Sequence, residues 1–221
     1  MKIRLQITKD REIRFVSHLD YLRALERSLR RAGWPVAYSE GFNPRMKFSL
    51  ASALGVGVVS RTEFVEIELA EPLPLDEAIA ALRRALPRGI RIVDGDCVAT
   101  EEPALMASVA GADYRVRLAC ADVAEQVARF NQADALLYKK AAPKRKEGYK
   151  EVDLKRYVTK IDYAWAEGQG EFRFNVLISP EGSVKATDVL AALGLDAANA
   201  DVERLAMYRA GGKPVLHQGR Q

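Results

Sequence analysis

The 221 residues are 48% apolar and 29% charged, which excludes a disordered chain and suits two domains of about 100 residues each. No stretch approaches the roughly 20 apolar residues that span a bilayer, and the opening MKIRLQITKDREIRF is too charged for a signal peptide. A cytoplasmic location without a membrane partner is therefore expected.

MKIRLQI predicts a strand, with Ile3, Leu5 and Ile7 on one face at period two. VSHLDYLRALERSLRRAGWP predicts a helix that begins at the N-cap Ser17, has Asp20 in its first turn, and stops at Gly33-Trp34-Pro35. VAYSEGFNPRMKFSLASALGVGV is a strand and loop region broken by Gly41, Asn43-Pro44, Gly55 and Gly57. EFVEIEL alternates as a strand, and LDEAIAALRRAL follows Pro72 and Pro74 as a short helix ended by Pro87 and Gly89. GIRIVDGDCV closes the set as a fourth strand. The order β-α-β-β-α-β is that of the ferredoxin-like unit, an antiparallel sheet with two helices on one face.

Ser108 to Ala112 read as a small-residue linker, after which the order begins again. DYRVRLAC is a strand, ADVAEQVARFNQ a helix, and the basic stretch 136–163 a strand, loop and strand. EFRFNVLI, SVKATDVLAALG and VERLAMYRA supply a further strand, a helix and a closing strand. The expected fold class is α+β, with two tandem ferredoxin-like halves spanning 1–104 and 105–221. A single larger α+β sheet is the rival arrangement.

On the first helix, Leu22, Leu25, Leu29 and Ala32 form one apolar stripe, while Arg23, Arg27, Arg30 and Arg31 occupy about 100° of another side. That basic side is either a solvated helix back or a phosphate-contacting stripe. His18 lies in the first turn without a sequence partner that would make it a general base. A structural hydrogen-bonding role suits it better, and it stands only as a weak catalytic candidate. The other histidine, His217, falls in the tail.

The block from Val16 to Val58 resembles a radical-SAM-linked protein family that carries the domain of unknown function DUF2344. The resemblance rests on Ser17-His18-Leu19-Asp20, Arg30-Arg31-Ala32-Gly33, Tyr38-Ser39-Glu40-Gly41-Phe42-Asn43-Pro44 and Leu54-Gly55-Val56. VDLKRYV and EGSVKATDVLAALG extend it more weakly. The chain departs from the family pattern at Arg45-Met46-Lys47, where a second proline is expected. It departs again at Ala186-Thr187, where arginine-proline is expected. The resemblance implies a partner or fused tail of radical SAM enzymes, often of a cobalamin-binding type, encoded near RNA-processing and ribosomal genes. There is no CxxxCxxC in the sequence, so this chain is not expected to hold the iron–sulfur cluster of such an enzyme. Cys97 and Cys120 lack metal or redox spacing and are expected as reduced thiols, so no cofactor or metal is assigned.

The net charge of +4 is concentrated in one place. Lys139 to Lys160 holds nine Lys/Arg against three Asp/Glu, a net +6, which leaves −2 for the other 199 residues. In YKKAAPKRKEGYKEVDLKRYVTKIDYAW the cations Lys139, Lys140, Lys144, Arg145, Lys146 and Lys150 interleave with Tyr138, Tyr149, Tyr157 and Tyr163. Diffuse charge among flat rings suits unpaired RNA better than duplex readout, with Tyr149 a stacking platform. The loop SEGFNPRMK is either a turn between strands whose side chains satisfy one another, the reading its composition favours, or a small anion site with Arg45 and Lys47 as its charges. No P-loop, H-E-x-x-H or deaminase signature is present. The expected function is a non-catalytic accessory that binds RNA, tRNA or rRNA, through Arg23, Arg27, Arg30, Arg45, Lys47 and the 139–150 loop, and presents it to a radical SAM enzyme. A metal-independent RNA endonuclease using His18, and a protein-only adaptor for a radical SAM enzyme, are the alternatives.

Overall fold

The computed structural model describes residues 1–142 and 147–216. It is a mixed α+β protein with mostly antiparallel strand pairing and, among the described residues, five α-helices. The chain divides into two compact units: Met1–Val109 with the chain from Met207 on, and Ala110–Ala206.

In the first unit the elements are β1 (Lys2–Lys9), α1 (His18–Arg31), β2 (Phe48–Leu50), β3 (Val58–Glu68), α2 (Leu75–Ala85), β4 (Ile92–Val98) and α3 (Leu105–Ser108). The strands lie in the order β4-β1-β3, with β2 on β3, and the three pairings are antiparallel. Period-two alternation sends Ile3, Leu5 and Ile7 into a core with Val65, Ile67 and Ile92. Tyr21, Leu25 and Leu29 of α1 and Ile79 and Leu82 of α2 close that core. Burying each such side chain contributes about 1.5–3 kcal/mol. Gly95 sits where a strand and a helix press together: a Cβ there would lie 2.6 Å from Leu5 Cδ2 and 3.0 Å from Ile79 Cδ1. Only glycine fits that approach without displacing the core.

A buried cation fastens the segment after β4. Arg4 is fully buried; its Nε donates to Glu66 Oε2 at 2.8 Å and its Nη2 to the Pro103 carbonyl at 2.6 Å. Glu102 lies 3.4 Å from Nη1.

The second unit contains β5 (Val109–Ala119), α4 (Ala124–Gln132), β6 (Leu137–Ala141), β7 (Tyr149–Asp153), β8 (Ile161–Ala166), β9 (Gln169–Leu177), α5 (Ala186–Ala192) and β10 (Asp201–Arg209). The last strand gives its first six residues to this unit. Strand order is β10-β5-β9-β8, while β6 and β7 pair only with each other. The hairpin between β8 and β9 turns through Glu167 and Gly168, both at positive φ, the geometry that matches strand twist in a two-residue loop. Val116, Leu118, Phe172 and Phe174 are buried along the strands, with Phe130, Val189 and Leu190 from the helices.

Two sequence expectations are corrected. The small residues from Ser108 to Ala112 are strand rather than loop: β5 starts at Val109 and Ala112 is fully buried, although the boundary between the two units does fall in this stretch, after Val109. The basic stretch 136–163 is not one strand–loop–strand. It is a separate ribbon, β6–β7, followed by a single helical turn (Leu154–Arg156) and then by β8.

Candidate nucleic-acid interface

The ribbon is held at its base by Asp153. Its Oδ1 accepts from the backbone N–H of Leu136 at 2.9 Å and from that of Lys155 at 3.1 Å. The register sets Tyr138 opposite Val152, Lys139 opposite Glu151, Lys140 opposite Lys150 and Ala141 opposite Tyr149. Period-two alternation therefore puts two ammonium groups on directly opposed positions of one face, an arrangement that destabilises an isolated hairpin. Only Lys140 is compensated, by Asp188 of α5 at 2.9 Å. Asp188 also accepts from the Lys185 N–H at 2.9 Å, so its oxygen position is set by the start of α5. Lys150 is exposed and forms no ion pair among the described residues. On the other face, Lys139 Nζ lies 4.6 Å from the centroid of the Tyr149 ring, a cation–π contact that orients the ring. Lys144, Arg145 and Lys146 lie outside the described residues, as does His217.

Beyond the ribbon, Lys155 is a structural cation: its Nζ donates to the Phe130 carbonyl at 3.1 Å and to the Thr159 carbonyl at 2.6 Å. Tyr163 is also occupied, since its hydroxyl donates to Asp122 Oδ1 and accepts from the Val123 N–H. Burial, the larger effect, and the Asp122 bond hold its phenol above the usual range.

The cations of α1 behave differently. Ser17 caps the helix, its Oγ accepting from the Asp20 N–H at 3.2 Å and donating to Asp20 Oδ2 at 2.8 Å. The Asp20 carboxyl is held below its usual range first by that hydroxyl and then by Arg23, which lies 2.9 Å away. Arg30 is paired with Glu26 at 2.7 Å. Arg27 is exposed without an ion pair among the described residues. The positive stripe read from spacing is thus neutralised at two of its positions by acids one turn back.

The segment after α1 closes on itself. The Ser39 N–H donates to the Arg45 carbonyl at 2.8 Å, and the Arg45 N–H to Ser39 Oγ at 3.0 Å. Arg45 is exposed, while Lys47 is paired with Glu68 at 3.1 Å. Phe42 at the tip is fully exposed. His18 is half-buried, and its Nδ1 has no hydrogen-bond partner.

The ribbon thus gathers Lys139, Lys140, Lys150 and Tyr149 in the second unit. Arg23, Arg27 and Arg30 share α1, and Arg45 and Lys47 share the approach to β2, in the first. Sequence reasoning missed the buried cations, because charged residues are expected outside. Besides Arg4 these include Lys9, whose Nζ donates to the Arg14 and Val16 carbonyls at 3.0 and 2.9 Å and so fixes the segment entering α1. Burial pushes the Lys9 ammonium pKa down, and Glu63 partly offsets it. In the second unit, buried Arg204 donates through Nε and Nη2 to the Tyr114 hydroxyl at 2.9 and 2.7 Å. Among the described residues no three His, Cys, Asp or Glu side chains converge as metal ligands. No helix among them is long and apolar enough to cross a membrane.

Comparison with solved structures finds similarity to a chain of the crystal structure of a Cbf5-Nop10-Gar1 complex. That similarity has 11% identity and a TM-score of 0.47, over 86% of this chain and 46% of that one. This chain thus spans less than half of that relative's length. The crystal structure of an unknown protein from Galdieria sulphuraria is similar at 13% identity and a TM-score of 0.26, over 95% of this chain and 98% of that one. No curated protein matches. Residues 2–186 match the family described as an uncharacterized protein conserved in bacteria, DUF2344, and the chain belongs to that family.

Proposed function

We propose that this protein is a cytoplasmic, non-catalytic accessory that binds unpaired RNA, of tRNA or rRNA, on the β6–β7 ribbon and presents it to a radical SAM enzyme. The observation that carries the RNA reading is the opposition of Lys140 and Lys150, of which only Lys140 has a counter-charge among the described residues, on a ribbon whose other face carries a cation-ordered tyrosine. Opposed ammonium groups are relieved by a ligand that brings negative charge, and a phosphodiester chain brings it at regular intervals. Tyr149 adds an aromatic ring for a splayed base, which a folded acidic protein does not offer. The radical SAM partner rests on the family resemblance of the first sequence block.

In this reading each unit is a ferredoxin-like fold. The strand orders β4-β1-β3-β2 and β10-β5-β9-β8 support it, because each sets the unit's first strand between its last strand and the one before the second helix. The ribbon is then an insertion between the first helix and second main strand of the second unit.

The test is charge reversal at the two exposed lysines. The Lys139→Glu/Lys150→Glu variant should bind a labelled polyuridylate at least about tenfold more weakly than the wild type, with an unchanged thermal melt. Its log–log salt slope should fall by about 1.4, the loss of two single-strand phosphate contacts. Retention of RNA at wild-type affinity discards the ribbon as the binding surface.

A further inference from the structure

We infer a second phosphate-binding surface on the helix layer of the first unit, a groove between α1 and α2 that takes the RNA sugar–phosphate backbone; it rests on the RNA-binding reading above. The groove is open to solvent, has a volume of about 700 Å³, and is lined by Arg31, Ala32, Ala81, Arg84, Ala85 and Pro87, together with Leu86. The lining combines two guanidinium side chains, Arg31 and Arg84, with the methyl groups of three alanines. These small residues let a backbone approach both helices closely.

Arg31 is held in place by the second helix: its Nη2 donates to the Ala85 carbonyl at 2.6 Å, and to Ser28 Oγ at 3.4 Å. That contact uses one edge of the guanidinium and leaves other N–H donors for a ligand. Arg84, on α2, is exposed and forms no ion pair among the described residues. The same holds for Arg83 beside it, for Arg88 four residues on, and for Arg27, one turn before Arg31 on α1, none of which belongs to the groove lining. Arg23 and Arg30, by contrast, have acidic partners, and they too lie outside the groove lining.

Arginines in a last helical turn complement the helix dipole, which accounts for one or two cations at each end but not for one groove lined from both helices by Arg31, with N–H donors to spare, and by Arg84, which has no ion pair among the described residues. Arginine in place of lysine favours phosphate, because the planar fork meets two phosphate oxygens at once. The sequence signal was present in LRRALPRG, but nothing in spacing along the chain tells that Arg84 and Arg31 line one groove.

The experiment compares the full chain with Arg84→Ala, which spares the structural Arg31, in anisotropy titrations against labelled polyuridylate and a labelled RNA hairpin. The ribbon variant Lys139→Glu/Lys150→Glu is titrated in parallel, and vesicles containing phosphatidylserine serve as a competing anionic surface. The expected result is about a tenfold loss of RNA affinity in the arginine variant, a smaller loss for Arg84→Lys, and an unchanged melt. If the arginine variant binds as the wild type while the ribbon variant is weakened, the groove proposal is overturned and the ribbon reading stands. Loss in the arginine variant with an unaffected ribbon variant keeps the groove and removes the ribbon. Binding to vesicles but to neither RNA overturns both.

Discussion

On α1, Arg23 and Arg30 lie 2.9 and 2.7 Å from acids one turn earlier. On the β6–β7 ribbon, Lys140 and Lys150 face each other across two strands, and only Lys140 has a counter-charge. The two regions look alike as runs of cations, yet the helix supplies its own neutralisation and the ribbon does not. The reason is geometric. Helical spacing of three or four brings Asp20 and Glu26 under their arginines automatically, whereas a hairpin's pairing depends on register, and this register sets Lys139 opposite Glu151 but Lys140 opposite Lys150. A pair such as Arg23–Asp20, more than half exposed on both sides, contributes little and is screened by salt. The ribbon's excess charge is the more informative feature.

The comparison assumes that exposed cations are free of structural duty, and a buried one is the control. Arg4→Ala should lower unfolding stability by about 3 kcal/mol, because Glu66 loses the charge that compensates it, while Glu102 keeps Arg209 at 3.5 Å. Denaturant melts check this, and a loss below about 1 kcal/mol would place Arg4 with the surface cations. Removing the ribbon's ring comes next in size. Tyr149→Ala should weaken polyuridylate binding about tenfold while leaving binding to a blunt RNA duplex nearly unchanged. Equal losses on both would reduce the ribbon to a patch of charge.

A smaller effect separates a structural ion pair from the ribbon by pH. Hydrogen bonding from Arg91, at 2.8 and 2.9 Å, is the main cause holding the Asp10 carboxyl below its usual range. The folded state therefore binds fewer protons than the unfolded state near that range. The contribution is fully present above the usual carboxylate pKa and is lost as pH falls through the lowered folded value. Since Arg91 is well exposed, about 0.5 kcal/mol is expected after solvent screening. Arg91→Gln should accordingly flatten the acid limb of the stability–pH curve, with no change in RNA affinity. At the bottom of the scale, His18→Ala should leave RNA intact on denaturing gels, as the wild type does. Strand scission by the wild type that disappears in the variant would instead favour the endonuclease alternative.

Much of the fold was legible because apolar periodicity reports burial directly. Ile3, Leu5 and Ile7 marked β1, Ser17 and Gly33 bracketed α1, and the alternation in EFVEIEL marked the end of β3. The start of β5 was hidden because Ala110, Gly111 and Ala112 carry almost no side-chain signal, so a buried strand and a linker share one composition. The ribbon's separation from the main strands was hidden as well, because Tyr157, Thr159 and Ile161 keep strand parity although the chain between the helical turn Leu154–Arg156 and β8 is not a strand. At the candidate interface the residue types could be read but not their partners. Lys47 to Glu68 and Lys140 to Asp188 are contacts between residues distant in sequence. Neither local spacing nor net charge contains them.

Ultraviolet crosslinking of the full chain in cells, followed by mass spectrometry of nucleotide-bearing peptides, tests the central claim most directly. The account predicts uridine adducts on the peptide containing Tyr149, lost in Tyr149→Ala. A chain recovered free of nucleotide adducts, or with adducts confined to segments outside residues 137–153, would contradict it.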